Sequence, residues 1–139
     1  MREDCIFCQI VARRAPAHRV LEDERTLAFM DIAPVAHGHA LVIPKAHCDD
    51  LLGVEADDLA AVACQSRRLA RAIHDVLTPD GIGVYQLNGA AAGQTVFHYH
   101  VHLVPRMHGD PLGLQARGPG DPEKLAEVAL ALAAALPVS

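Results

Sequence analysis

Three histidines in strict alternation give the first chemical signal. His98, His100 and His102 are interleaved with Tyr99, Val101 and Leu103 in the run from Gln94 to Arg106. Period-two alternation marks a β-strand with two unlike faces, so the imidazoles leave one face and their apolar partners the other. Along such a strand adjacent histidines lie roughly 6–7 Å apart, and the outer two about 13 Å. One small atom cannot touch all three, so they must divide the work. A neutral imidazole, with an ordinary pKa of about 6.5, is a good nucleophile near pH 7. One histidine can attack phosphorus and form a covalent intermediate, while its neighbour donates to a phosphate oxygen. The preceding Ala92-Gly93-Gln94-Thr95 turn adds a glycine, an amide and a hydroxyl, further donors for a phosphate or a leaving group. The rival chemistry is metal binding, because His-x-His is also a common chelate.

A second signal is Cys5-Ile6-Phe7-Cys8. This spacing lets both sulfurs reach one ion, at about 2.3 Å for zinc. The plain alternative is a pair of ordinary thiols. A redox pair fits less well, because that motif follows a strand and opens a longer helix. A tetrahedral ion needs two more ligands, and no second Cys-x-x-Cys exists, so histidines would supply them. His47 and His98 are the best placed, with Cys48 a near neighbour of the first. A third signal is Asp31, a carboxylate closing an apolar strand. It reads either as a strand-end turn former or as an acceptor for two ribose hydroxyls.

These residues need elements to position them. Ile6, Phe7, Ile10 and Val11 recur at helical spacing and predict a short helix over 6–12. Residues 20–32 read as a β-hairpin with an acidic turn, and 39–45 as a strand rich in β-branched residues. From Asp49 to Leu77 apolar residues recur at threes and fours, predicting a long helix with Asp57 and Asp58 near its start and Pro79 after its end. Cys64 reads as a core thiol of that helix and His74 as a residue without function. Residues 82–88 read as a strand leading through a Gly/Ala-rich loop into the histidines. After Arg106 a Gly/Pro-rich stretch runs to Pro122, with His108 and Arg117 as candidates for a pocket entrance. An alanine-rich helix over 125–136 follows. Strands and helices do not alternate in the βαβ manner, so the fold class is α+β: an antiparallel sheet of about five strands, one long helix and short terminal helices.

Bulk properties narrow the function. The 139 residues suit one core, and 51% apolar with 21% charged residues indicates a globular chain. The formal charge is −5 and no Lys/Arg cluster exceeds two adjacent residues, which disfavours nucleic acid as a partner. No apolar run is long enough to span a membrane. The N-terminus lacks the apolar core of a signal peptide, and four cysteines give no disulfide framework. A cytoplasmic location is the resulting expectation.

The run His98-Tyr99-His100-Val101-His102-Leu103-Val104, preceded by Ala92-Gly93-Gln94-Thr95-Val96, resembles the signature of the histidine triad (HIT) superfamily of nucleotide hydrolases and transferases. The resemblance covers roughly residues 4 to 106 and implies a HIT-like fold. One HIT domain is expected over 1–139, with 107–139 adding a loop and a helix. It implies that His100 is the nucleophile, adenylylated during turnover, and that His102, Gln94 and Thr95 contact the α-phosphate or leaving group. It implies a ribose-binding role for Asp31, and a base walled by Ile6, Phe7, Phe29, Ile32 and Leu41. His39 matches a position near the catalytic histidine, and Gly93 and Val96 belong to the matched turn. The resembling bacterial proteins carry a structural zinc held by Cys-x-x-Cys and two histidines, at positions that match Cys5, Cys8, His47 and His98. A homodimer is implied as well. The chain departs from the pattern at Leu87, where relatives usually carry Asn or Gln. Asn88 falls one residue later and reaches the site only through a local bulge. The expected activity is hydrolysis of purine nucleoside 5′-phosphoramidates or related adenylylated compounds. The alternatives are a diadenosine polyphosphate hydrolase, a non-catalytic nucleotide-binding or adaptor module, and a scaffold whose histidines only bind metal.

Overall fold

The computed structural model describes residues 1–115 and 118–139, so Arg117 lies outside the described residues. The elements in chain order are helix α1 (Ile6–Val11), strands β1 (Arg19–Glu22), β2 (Thr26–Met30) and β3 (Ala40–Pro44), helix α2 (Ala56–Leu77), strand β4 (Gly81–Tyr85), a single 3-10 turn (Ala90–Ala92), strand β5 (Val101–Arg106) and helix α3 (Pro122–Ala135). The five strands form one antiparallel sheet in the order β1-β2-β3-β5-β4.

Alternation along the central strands assigns the two faces. Ala28 and Met30 of β2, Ala40 and Val42 of β3, and Val101 and Leu103 of β5 pack with Val62, Leu69 and Ile73 of α2 and with Leu125, Val128 and Leu132 of α3. The intervening Leu27, Phe29, Leu41 and Ile43 pack on the opposite face with Cys5, Phe7, Cys8 and Ile10 of the α1 segment. Both faces of β2 and β3 are therefore covered, which is why every residue in them is buried. A strand covered on both faces loses the polar half of its pattern.

Two local devices fix the hairpin and the long helix. In the β1–β2 turn, Asp23 Oδ1 accepts from the backbone N–H groups of Arg25 (3.0 Å) and Thr26 (2.7 Å) and from the Thr26 hydroxyl (2.8 Å). An Asp at that place offers the backbone a ready-made turn. Helix α2 ends at Thr78, which takes a left-handed φ of 45° before Pro79. It begins at Ala56 rather than near Asp49, because residues 49–55 form turns with other duties. Cys64 is exposed rather than buried. It lies two residues from Val62, about 200° around the helix from the sheet-facing stripe. No helix among the described residues is long and apolar enough to cross a membrane.

The histidine run also differs from a continuous strand. Strand β5 begins only at Val101, and β3 pairs with it only over Val101–Leu103. The residues before it are held elsewhere, with the Tyr99 N–H donating to the Cys48 carbonyl (2.7 Å). The alternation of faces persists without the ladder: Tyr99 is buried against the α2 side, and the histidines face the α1 side.

Candidate active site

Partners fix the protonation pattern of the histidines. His100 Nδ1–H donates to the His98 carbonyl oxygen at 2.6 Å, so Nε2 carries the lone pair. The Phe7 ring lies edge-on to this imidazole, centroids 5.1 Å apart. The Val35 backbone N–H donates to His39 Nδ1 (3.1 Å), which forces the proton of a neutral His39 onto Nε2. That Nε2–H donates to His102 Nδ1 (3.0 Å), so His102 keeps its own proton on Nε2. Both ends of the assignment rest on backbone groups of fixed character, since the Val35 amide can only donate and the His98 carbonyl can only accept. The His100 and His102 rings are 4.8 Å apart. An unprotonated nitrogen and an N–H donor therefore stand side by side.

Electrostatics keep this line neutral. Burial pushes His100 down, against the opposing influence of the His98 carbonyl and Asp31. Burial, then the charges of His100 and His39, lowers His102 to about 3. Burial also lowers His39, with Asp31 opposing it at 3.4 Å. Neutral imidazoles at pH 7 are what a nucleophile and a hydrogen-bond donor require.

Two cavities meet at these rings, and Asp31, Thr95, His100 and His102 line both. One, of about 370 Å³, runs beneath α1 and is walled by Ile6, Phe7, Phe29, Ile32, Leu41 and Val96. Phe7 and Phe29 pack edge to face inside it, 5.4 Å apart. The other, of about 420 Å³, opens on the far side of His102 towards Val35, Leu87, Gly93, Gln94, Leu114 and Gln115. Asp31 sits at the junction with Oδ1 holding the Ala33 N–H (2.9 Å).

The turn before the histidines divides into a scaffold and a free group. Gln94 is buried, and its amide is fully committed: Nε2 donates to the carbonyls of Asp49 (2.6 Å) and Val96 (3.0 Å), and Oε1 accepts from Gly89 N–H (2.7 Å). Its side chain braces the loop instead of offering the phosphate donor expected of it. Gly93 adopts a φ of 103° and a Cβ there would meet Leu87 Cδ1 at 3.2 Å, so this position needs glycine twice over. Thr95 is exposed and lines both cavities.

Asn88 does not line either cavity. Its Oδ1 accepts from the Leu51 N–H (2.8 Å) and from Gln86 Nε2 (2.8 Å), while its Nδ2 donates to Gln86 Oε1 (2.9 Å). No bulge returns it to the site, and Leu87 faces the cavity in its place. His108 is exposed, its backbone tied to Asp80. Lys45 pairs with Glu22 (2.8 Å) rather than facing the cleft.

Behind the catalytic line, Cys5, Cys8, His47 and His98 form one cluster, with their ligand atoms all within 4.8 Å of one another. Cys5 Sγ is 3.4 Å from His98 Nδ1, and Cys8 Sγ lies 3.4 Å from His47 Nδ1 and 3.6 Å from His98 Nδ1. A tetrahedral zinc with bonds of about 2.3 Å to sulfur and about 2.0–2.1 Å to nitrogen has S···N edges of about 3.5 Å. The donor set therefore fits the ion. The outer nitrogens are already engaged, His98 Nε2–H on the Pro44 carbonyl (2.7 Å) and His47 Nε2 on Asp49 (3.1 Å), the usual support for metal-bound imidazoles. Burial raises the Cys5 thiol and lowers His98 to about 4. Cys48 is outside this group.

The residues that sequence reasoning missed are Val35, Leu87 as a lining residue, Leu114 and Gln115. Leu87 alone had a signal, as a departure from the expected Asn or Gln. Val35 comes from the short connection between Asp31 and His39, while Leu114 and Gln115 arrive from beyond β5.

Comparison with known proteins agrees with this geometry. Residues 12–109 match the HIT domain family. "Protein hit" of Bacillus subtilis is 42% identical over 136 residues, spanning 94% of this chain and 93% of that protein. A zinc-bound histidine triad family protein of Mycobacterium smegmatis superposes with a TM-score of 0.83 at 43% identity, covering 95% of this chain and 92% of that one. An adenylylsulfatase of Arabidopsis thaliana, HINT3, is 36% identical over 81% of this chain and 57% of its own length. By its family match, its relatives and its fold, the chain belongs to the HIT family.

Proposed function

We propose that this protein is a nucleotide hydrolase. It acts on the α-phosphate of purine nucleoside 5′-phosphoramidates or related adenylylated compounds through a nucleotidyl-histidine intermediate. The observation that carries this reading is the His100 imidazole: Nδ1–H is tied to the His98 carbonyl, and the Nε2 lone pair stands beside the Nε2–H of His102. The apolar cavity beneath α1 takes the purine, Asp31 at its mouth meets the ribose hydroxyls, and the α-phosphate sits where the two cavities join.

His100 Nε2 attacks phosphorus. The bond from phosphorus to the leaving nitrogen breaks, and that nitrogen takes up a proton from solvent and departs as an amine. Water then displaces His100 and releases the nucleoside monophosphate. Positive charge developing on the attacking imidazole is stabilised by the His98 carbonyl dipole. Negative charge on the phosphoryl oxygens is met by His102 Nε2–H and the Thr95 hydroxyl. The Arabidopsis relative is named an adenylylsulfatase, which supports hydrolysis of an adenylylated compound, with a leaving group other than an amine.

Cys5, Cys8, His47 and His98 would hold a structural zinc that cross-links α1 to the histidine segment. The M. smegmatis relative supports this assignment. A homodimer formed through the edge strand β4 and helix α2 is part of the proposal. It is supported by the exposed Val84 and by an apolar groove of about 310 Å³ between α2 and the sheet. The chain is read as one HIT domain with its C-terminal helix docked on it.

The test is intact-mass spectrometry after brief mixing with an adenosine phosphoramidate, wild type beside His100→Ala. An added nucleotide mass on wild type alone, followed by release of the monophosphate, is expected. Turnover by His100→Ala above a few per cent of wild type would sink the nucleophile assignment.

A further inference from the structure

We infer that the second cavity is a leaving-group subsite selective for leaving groups that carry an apolar side chain, with Leu87 and Leu114 as its specificity-determining residues. The inference rests on the reading above, in which the α-phosphorus lies at the residues shared by the two cavities. If the nucleoside fills the compartment beneath α1, the group expelled from phosphorus has the other compartment to occupy.

The side of it away from the junction carries three anchored apolar side chains, Leu87, Val35 and Leu114. Leu87 lies against the phosphate turn itself, its Cδ1 3.2 Å from where a Cβ on Gly93 would stand. Val35 faces it from the β2–β3 connection, buried, with its N–H fixed to His39. Leu114 is not the end of a loose loop, because the residue before it is clamped twice. Arg106 Nη2 donates to the Gly113 carbonyl, and the Gly113 N–H donates to the Tyr85 hydroxyl (3.2 Å). Tyr85 closes β4 and Arg106 closes β5, so two sheet residues hold Leu114 over the cavity.

Polar groups that might have served a polar leaving group are occupied elsewhere. The Gln94 amide is spent on backbone, and Asn88 is tied to Leu51 and Gln86. Beyond the groups at the junction, the described lining adds His39, whose two nitrogens are taken by the Val35 N–H and His102, and the side-chain amide of Gln115. A methyl-bearing chain would exchange water for Leu87, Leu114 and Val35. An amide or hydroxyl of the same shape would lose its water with few partners in return.

The experiment uses two isosteric substrates, the N-isopentyl and N-(2-carbamoylethyl) adenosine 5′-phosphoramidates. They differ only in an isopropyl group against a primary amide. The ratio of their kcat/KM values is measured for wild type, Leu87→Asn and Leu114→Asn. Comparing ratios between proteins cancels the different basicities of the two amines. Wild type is expected to favour the isopentyl compound, and each substitution is expected to move the ratio towards the amide on the order of tenfold. Both compounds are also titrated onto His100→Ala and onto His100→Ala/Leu87→Asn, which reads the compartment without chemistry.

Turnover with a ratio unmoved by both substitutions overturns the subsite and leaves the hydrolase reading intact. No turnover of either compound by wild type, with tighter isopentyl binding that Leu87→Asn abolishes, overturns the hydrolase reading and leaves the subsite. Equal binding of the two compounds to His100→Ala, together with an unmoved ratio, removes Leu87 and Leu114 from specificity altogether.

Discussion

The two histidine clusters of this molecule use opposite nitrogens. In the Cys5/Cys8 cluster the Nε2 atoms of His47 and His98 are engaged outward, on Asp49 and on the Pro44 carbonyl, and the Nδ1 atoms converge on the sulfurs. In the catalytic line the Nδ1 atoms are engaged, that of His100 on a carbonyl and that of His102 on His39, and the Nε2 atoms are left for a ligand. His98 and His100 are two residues apart on the same face of the same segment. In the proposed assignment, the candidate metal ligand and the candidate nucleophile differ in which nitrogen the backbone holds. Residue type and spacing are shared; the hydrogen-bond partner assigns the role.

The largest effect is expected from removing the imidazole proposed as the nucleophile. His100→Ala is expected to lower kcat/KM by on the order of 10⁴-fold or more, as loss of a covalent nucleophile does, with adduct formation lost in the same mass-spectrometric assay. Emptying the other cluster should spare the chemistry and strike stability. Zinc present at about a hundredfold over its Kd stabilises by roughly 3 kcal/mol, which for a chain of this length is about 10 °C in Tm. Cys8→Ser, or chelation of the wild type, should lose that increment in a calorimetric scan. An unchanged Tm would remove the metal from the structural role.

A sharper cut is His39→Ala, which takes away the donor that fixes the His102 tautomer. Roughly ten- to a hundredfold loss in kcat is expected with little change in KM, and the ¹⁵N shifts of the His102 ring should show mixed tautomers. His39→Gln, which can still donate, should recover part of the loss. Unaltered His102 shifts in His39→Ala would disprove the relay.

The mildest effect is on stability against pH. Burial lowers His39, and it lowers His102 to about 3, while both take the ordinary value of about 6.5 in the unfolded chain. Below that value the unfolded chain binds protons that the folded chain refuses, so stability falls as pH falls from about 6.5 towards 3. Above pH 7 both are neutral in either state and contribute no slope. Denaturant melts of the metal-free protein should show this fall, and His102→Gln should flatten it. A fall confined to the carboxylate range would contradict neutral burial of the pair.

Much of the fold was readable because its signals are local. The acidic turn of the first hairpin, the β-branched run of residues 39–45, the apolar stripe of α2 and the Cys-x-x-Cys spacing are each read from near neighbours in the chain. The ends were less readable. The start of β5 depends on where β3 stops pairing, and the start of α2 on turns that serve other segments. Within the site, residue types announced His100, His102 and the cysteines, but not how Gln94 and Asn88 would be used. Both are polar residues in a glycine-rich turn, and only the approach of Asp49, Leu51 and Gly89 shows that their amides brace loops. Leu114 and Gln115 had no signal at all, since their place over the cavity depends on Arg106 and Tyr85 clasping Gly113.

Asp49 touches both halves of the molecule's chemistry. Its carboxylate holds the outer nitrogen of His47, and its backbone carbonyl receives the Gln94 amide. The neighbouring Cys48 carbonyl receives the Tyr99 N–H between two of the alternating histidines. A fluctuation that lifts residues 47–50 would therefore release the candidate zinc ligand His47, the brace of the Gln94 turn and the anchor of the histidine segment in one event. Contacts shared in this way would open as one cooperative unit, so a zinc held by Cys5, Cys8, His47 and His98 would slow the unravelling of the Gln94 turn as well.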